Sequence, residues 1–127
     1  TTSGYAGLKS DLRLFITVNE GSNWIDYYTV PYGKILRIKT VINTYRTNGY
    51  TLGEPTGLYL RSSGNNEIAS FSPPPSGSTT YNDVYFDPKE IKLVGGDKIS
   101  SYHPLITGGM SFGFVLLAEL EVDTFLI

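Results

Sequence analysis

The stretch Ser111-Phe-Gly-Phe-Val-Leu-Leu-Ala-Glu-Leu-Glu-Val122 decides the fold class. Phe112, Phe114, Leu116, Ala118, Leu120 and Val122 fall on one side at a period of two. Ser111, Gly113, Val115, Leu117, Glu119 and Glu121 fall on the other. Successive side chains of an extended strand point to opposite faces, so this alternation predicts a strand. Its second face is apolar in the middle and acidic at the end, which predicts a central place in a sheet.

The same period recurs upstream. Leu12, Leu14, Ile16 and Val18 share one face of Asp11–Val18. In Lys34–Thr44 the alternation places Leu36, Ile38, Thr40 and Ile42 together, with Arg37, Lys39 and Asn43 opposite. Shorter strands are expected at Trp24–Val30, Gly57–Ser62, Glu67–Phe71, Thr80–Phe86, Glu90–Val94 and Lys98–His103. Val, Ile, Thr, Tyr, Phe and Trp supply 47 of 127 residues, against three Ala and no Gln. These β-branched and aromatic types fit a pleated surface and disfavour helix.

Turn residues punctuate the strands at the spacing of an all-β sandwich. Pro31 and Gly33 mark a turn, Ser63-Gly64-Asn65-Asn66 a loop, and Gly95-Gly96-Asp97 a tight hairpin between Ile91–Leu93 and Ile99. The three prolines of Ser72–Gly77 cannot donate to a ladder, so that segment is expected to cross between sheets or run over the surface. The expected architecture is an all-β antiparallel β-sandwich of jelly-roll type with eight or nine strands, residues 9–127, preceded by an N-terminal arm, residues 1–8.

A chain of 127 residues is the size of one domain and buries enough surface for a core without metals or disulfides. Cysteine is absent, which excludes thiolate metal sites and cysteine nucleophiles. Ten basic against twelve acidic residues leave no basic stripe for nucleic acid. The longest apolar run, Phe112–Ala118, is far too short for a membrane-spanning helix, and Thr1–Tyr5 lacks the pattern of a signal peptide. No nucleic-acid or membrane partner is expected.

Catalytic chemistry finds little to work with. His103 is the single histidine, so a Ser–His–Asp triad would need it as base, and a multi-histidine metal site is excluded. Glu119 and Glu121 sit two apart on one face, and a pair of carboxylates is the requirement of glycosidases; a strand end emerging into solvent accounts for them more simply. No catalytic residue, metal ligand or cofactor site is assigned. The aromatics carry a second reading. One Trp, ten Tyr and six Phe exceed the needs of one core. Trp24, Tyr45 and Tyr50 are candidates for a platform stacking sugar rings, whereas tyrosines that cap core edges or fill a subunit interface explain the same excess.

Three segments carry a family likeness: Val30-Pro31-Tyr32-Gly33-Lys34 leading into Ile35–Ile38, Ile91-Lys-Leu-Val-Gly-Gly-Asp-Lys-Ile99, and Gly113–Glu121. Together they resemble small jelly-roll structural proteins of tailed bacteriophages, including capsid decoration proteins and fibre or tail-tip head domains. The resemblance implies a non-enzymatic virion structural role, with a homotrimer as the assembly and a capsid or other virion protein as partner. Independently, Thr124-Phe125-Leu126-Ile127 ends the sequence on three large apolar residues, and Tyr5 lies in the arm. Tyr5, Phe125, Leu126 and Ile127 are therefore candidate assembly residues, the alternative for the apolar tail being a last strand of the same core. Three functions remain open at this level: a decoration protein on the capsid surface, a glycan- or receptor-binding module such as a fibre tip, and the subunit of an extracellular filament.

Overall fold

The computed structural model describes residues 9–19, 23–47, 56–74, 78–104 and 111–123. Among them run nine strands and no helix: β1 (Lys9–Asn19), β2 (Asn23–Thr29), β3 (Lys34–Arg46), β4 (Gly57–Arg61), β5 (Glu67–Phe71), β6 (Val84–Phe86), β7 (Lys92–Val94), β8 (Lys98–His103) and β9 (Ser111–Val122). They form two antiparallel sheets. The first has the order β1-β9-β3, with β6 and β7 lying end to end along the far edge of β3. The second has the order β2-β8-β4-β5. Apart from the β4–β5 hairpin and the β6–β7 run, each successive strand changes sheet, which is the jelly-roll path. β5 lies in the second sheet and β6 in the first, so the chain changes sheet between Phe71 and Val84.

β9 is central, paired along its length with β1 and with β3. Its inward face carries Phe112, Phe114, Leu116 and Ala118, all buried, against Ile16 and Val18 of β1 and Leu58, Leu60 and Ile99 of the second sheet. Phe112 and Phe114 meet edge to face with centroids 5.7 Å apart. Each such side chain contributes about 1.5–3 kcal/mol through burial.

β3 departs from strict alternation, and here the expectation is corrected. Leu36 and Ile38 face the core, but a bulge between Ile38 and Thr40 shifts the register. Beyond it Val41 and Asn43 turn inward, and Thr40 and Ile42 move to the outer face. An inserted residue puts two residues opposite one, which reverses every later side chain. A second irregularity lies between Asn43 and Tyr45. The inward Asn43 is held by its own network: its amide donates to the carbonyls of Tyr45 (3.1 Å) and Gly113 (2.9 Å), and its oxygen accepts from Arg46 (3.0 Å).

The Gly95-Gly96-Asp97 turn is also corrected. It does not close a hairpin, because β7 pairs with β3 in the first sheet and β8 with β2 and β4 in the second. The turn passes from one sheet to the other. It is locked to the Pro31–Gly33 turn: Gly96 N–H donates to Val30 O (2.9 Å) and Val30 N–H to Asp97 O (2.8 Å). A Cβ on Gly95 would lie 2.7 Å from Tyr32 Cα, so only glycine permits the two turns to touch. Asp123 N–H donates to Gly33 O (2.8 Å) at the same corner. β9 thus stays paired in the sheet to its end, while Glu119, Leu120, Glu121 and Val122 are only partly buried, as a strand end emerging from the core would be.

Candidate functional site

The outer face of the first sheet is built by the residues that alternation and the β3 bulge turn away from the core. Leu12, Leu14, Ile16 and Val18 point inward, so Arg13, Phe15 and Thr17 point outward. Phe15 pairs with Val115, Val115 with Ile42, and Ile42 with Tyr85. These four side chains make one apolar row across the whole sheet, with Phe15 77% and Tyr85 68% exposed at its ends. Directly opposed side chains in a sheet lie about 4.5–5.5 Å apart, so the row is contiguous. Beside it Tyr45 lies over Gly113, where a Cβ would come within 2.5 Å of its ring, and stacks on exposed Tyr81 with centroids 6.0 Å apart.

Toward the other end of the same face the chemistry becomes ionic. Asp11, Glu119, Arg37 and Lys92 form a second in-register row. In the row beyond, Glu121 accepts from Arg37 Nε (2.7 Å), and Lys9 Nζ reaches Glu121 (3.7 Å) and Glu119 (3.9 Å). The hydrogen bond from Arg37 is the main force holding the Glu121 carboxyl below its ordinary value of 4.5; burial opposes it, and the charges of Arg37, Lys9 and Lys92 assist. The two carboxylates are thus engaged with cations from both neighbouring strands and do not face a shared cleft.

The outer face of the second sheet is different. Trp24 of β2, Tyr102 of β8 and Tyr59 of β4 pack together, with centroids 4.6 Å from Trp24 to Tyr102 and 5.0 Å from Trp24 to Tyr59. The Arg61 guanidinium carbon lies 3.9 Å from the Trp24 ring centroid, and its Nη2 donates to Asp26 (2.8 Å). Asp26 also accepts from the Ser100 hydroxyl (2.6 Å), and Lys98 approaches at 3.9 Å. The Ser100 bond is the largest influence on the Asp26 carboxyl. Burial opposes it, while the Arg61 bond and the charges of Lys98 and Arg61 add to it, and the net effect is a value below 3.8.

Trp24 and Tyr45 therefore lie on opposite outer faces of the sandwich and form no common platform. Trp24 remains 44% exposed, but its ring already contacts Arg61, Tyr59 and Tyr102. Tyr50, Tyr5, Phe125, Leu126 and Ile127 lie outside the described residues. His103 is fully buried and packs on Phe112 with centroids 5.2 Å apart. Among the described residues no group of three or more His, Asp or Glu is placed to hold a metal ion. Sequence patterning does not reveal the row Phe15–Val115–Ile42–Tyr85. Phe15 is legible as a large apolar side chain on the polar side of its strand, but Ile42 is not, because only the bulge turns it outward.

The ionic clusters fix a pH dependence. Asp26 and Glu121 bind protons less readily folded than unfolded, so their stabilisation is complete above their ordinary values of 3.8 and 4.5. It is lost as pH falls through those values and then through the lower folded ones. Burial raises Tyr27 and Tyr28 above 10.0, the Ser101 hydroxyl bond to Tyr27 opposing in part, so stability also falls as pH rises past 10. Urea midpoints measured from pH 2 to 11 should show a plateau bounded on both sides. The double variant Asp26→Asn, Glu121→Gln should flatten the acid limb and leave the alkaline limb in place.

No family model matches the chain, and no curated protein matches it.

Proposed function

We propose that this chain is a non-enzymatic virion structural protein of the capsid-decoration kind, located on the capsid surface and working through contacts with copies of itself and with a capsid lattice. The observation that carries the reading is the exposed apolar row Phe15–Val115–Ile42–Tyr85 on a jelly-roll sheet. A contiguous apolar surface on a folded domain marks a place where another surface docks. Rigid sheet contacts, with the carboxylates Glu121 and Asp26 engaged in ion pairs and His103 in the core, suit a protein that holds a shape and turns nothing over. The likeness of the three turn-and-strand segments to phage jelly-roll proteins points the same way and implies a homotrimer. A glycan platform draws no support from Trp24 and Tyr45, which face opposite ways.

Imaging the particle that carries this chain at subunit resolution tests the reading. The expected result is the sandwich repeated at regular positions on a capsid, at a copy number set by lattice symmetry. Finding it along a filament, or singly at a fibre tip with a bound glycan, would overturn the proposal.

A further inference from the structure

We propose that the outer face of the first sheet is a contact between two copies of this chain, related by a two-fold axis running along the strands between β9 and β3. The inference rests on the claim above that copies of the chain meet, and puts a two-fold contact in place of the three-fold assembly that the resemblance implies. Its basis is the order of charges across the sheet. From the β1 edge to the β7 edge the ionic row reads Asp11, Glu119, Arg37, Lys92: two negative charges, then two positive.

A two-fold axis along the strands lays β9 of one copy over β3 of the other, and β1 over the β6–β7 edge. Asp11 then faces Lys92 and Glu119 faces Arg37, twice over, as an isologous contact requires. The same operation keeps the apolar row on itself, Phe15 against Tyr85 and Val115 against Ile42. Asp87 lies just beyond the end of β6 at Phe86, the partner of Val41, and so flanks the row of Arg13, Leu117 and Thr40 at the far edge, its carboxylate accepting from Lys89 N–H (2.8 Å). The operation sets Arg13 against Asp87. Apolar row meets apolar row, and the rows of Asp11 and of Arg13 meet their complements with no charge set against its like. In the row beyond, Lys9 meets Val94 and Glu121 meets Ile35, these two charges keeping their ion pairs within the chain. A second copy of this chain is the occupant that this arrangement fits.

The area is also sufficient. Four strand widths at about 4.8 Å and twelve residues at about 3.3 Å each give at most roughly 760 Å², the β6–β7 edge being shorter than the other strands, close to the ~800 Å² per partner of a stable interface. Sheets pack face to face about 10 Å apart with their strands within about 30°, which leaves the row matches intact.

Sedimentation equilibrium at micromolar concentration, on the whole chain, reads the contact directly. The wild type is expected to dimerise, and Phe15→Ser to abolish the dimer while keeping the β-sheet circular dichroism of the folded monomer, since Phe15 is exposed in the monomer. Asp11→Lys and Lys92→Glu should each weaken dimerisation about tenfold or more, because each sets like charges against one another. The double variant should recover to within about threefold of wild type, by restoring opposite charges in the reversed order. Within one chain these residues sit three strand spacings apart, about 14 Å. That exceeds the screening length of about 8 Å at physiological salt, so the rescue must act between copies. A monomeric wild type, a trimer, or a double variant weaker than either single variant would overturn the two-fold contact. Capsid attachment, imaged separately, distinguishes the two claims: a monomer that still decorates particles removes this contact alone, and a dimer that obeys the rescue but is absent from particles removes the decoration reading alone.

Discussion

Gly57→Ala is expected to destabilise the protein by about 3–5 kcal/mol, a large effect for the addition of a single methyl group. Gly57 opens β4 at φ +148°, and a Cβ there would lie 2.4 Å from the carbonyl oxygen of Phe71 and 3.1 Å from Ser72 Cα. Both obstructing atoms are backbone, so no side chain can rotate away. Relief would require β5 to withdraw from β4, which would break the Leu58–Phe71 pairing and the hydrogen bond from the Ser72 hydroxyl to Thr56 O (2.9 Å). Phe71 would lose its place beside Phe86, 5.7 Å away across the sandwich. Urea denaturation read by tryptophan fluorescence measures the loss, with Trp24 as the single reporter. A change below about 1 kcal/mol, the size of an ordinary surface substitution or less, would mean that β4 and β5 are not in this close register.

Asn43→Ala is expected to cost about 3 kcal/mol for a different reason. The side chain is fully buried and satisfies two carbonyls and one guanidinium nitrogen at the β3 irregularity. Alanine leaves all three without that partner, and each buried polar group so deprived costs about 1–3 kcal/mol, more when charged. Arg46 keeps its weaker contact with Asn82 O at 3.4 Å and its backbone pairing with Thr80, so the fold should persist and unfold at lower urea. Adding Arg46→Met removes the stranded charge. The pair should therefore show coupling of about 1–2 kcal/mol in a double-mutant cycle. Additivity would mean that the two residues do not share a network.

Period-two alternation in β1 and β9 places the core, because side-chain direction in a strand is a local property that each residue carries with it. Turn chemistry at Pro31–Gly33 and the proline-rich run after Phe71 bound the strands for the same reason, since both act on their own backbone. The all-β sandwich class follows from these local signals.

The departures share one physical origin: they depend on a partner strand. The bulge after Ile38 exists because β3 must fit β9 along its whole length, and no residue in Lys34–Thr44 announces it. It exchanges Ile42 and Val41 between core and surface, and with Ile42 it completes the apolar row Phe15–Val115–Ile42–Tyr85. The Gly-Gly-Asp turn has the composition of a hairpin, yet it joins two sheets because β7 finds its partner in β3. Trp24, Arg61 and Asp26 come from β2 and β4, strands that become neighbours only through β8, and the same folding separates Trp24 from Tyr45. Which segments are strands, and which faces of β1 and β9 are apolar, can be read from the residues alone. Which strands meet, where the register slips and which side chains share an outer surface are settled only when the strands assemble, because pairing between distant segments depends on how the whole core closes.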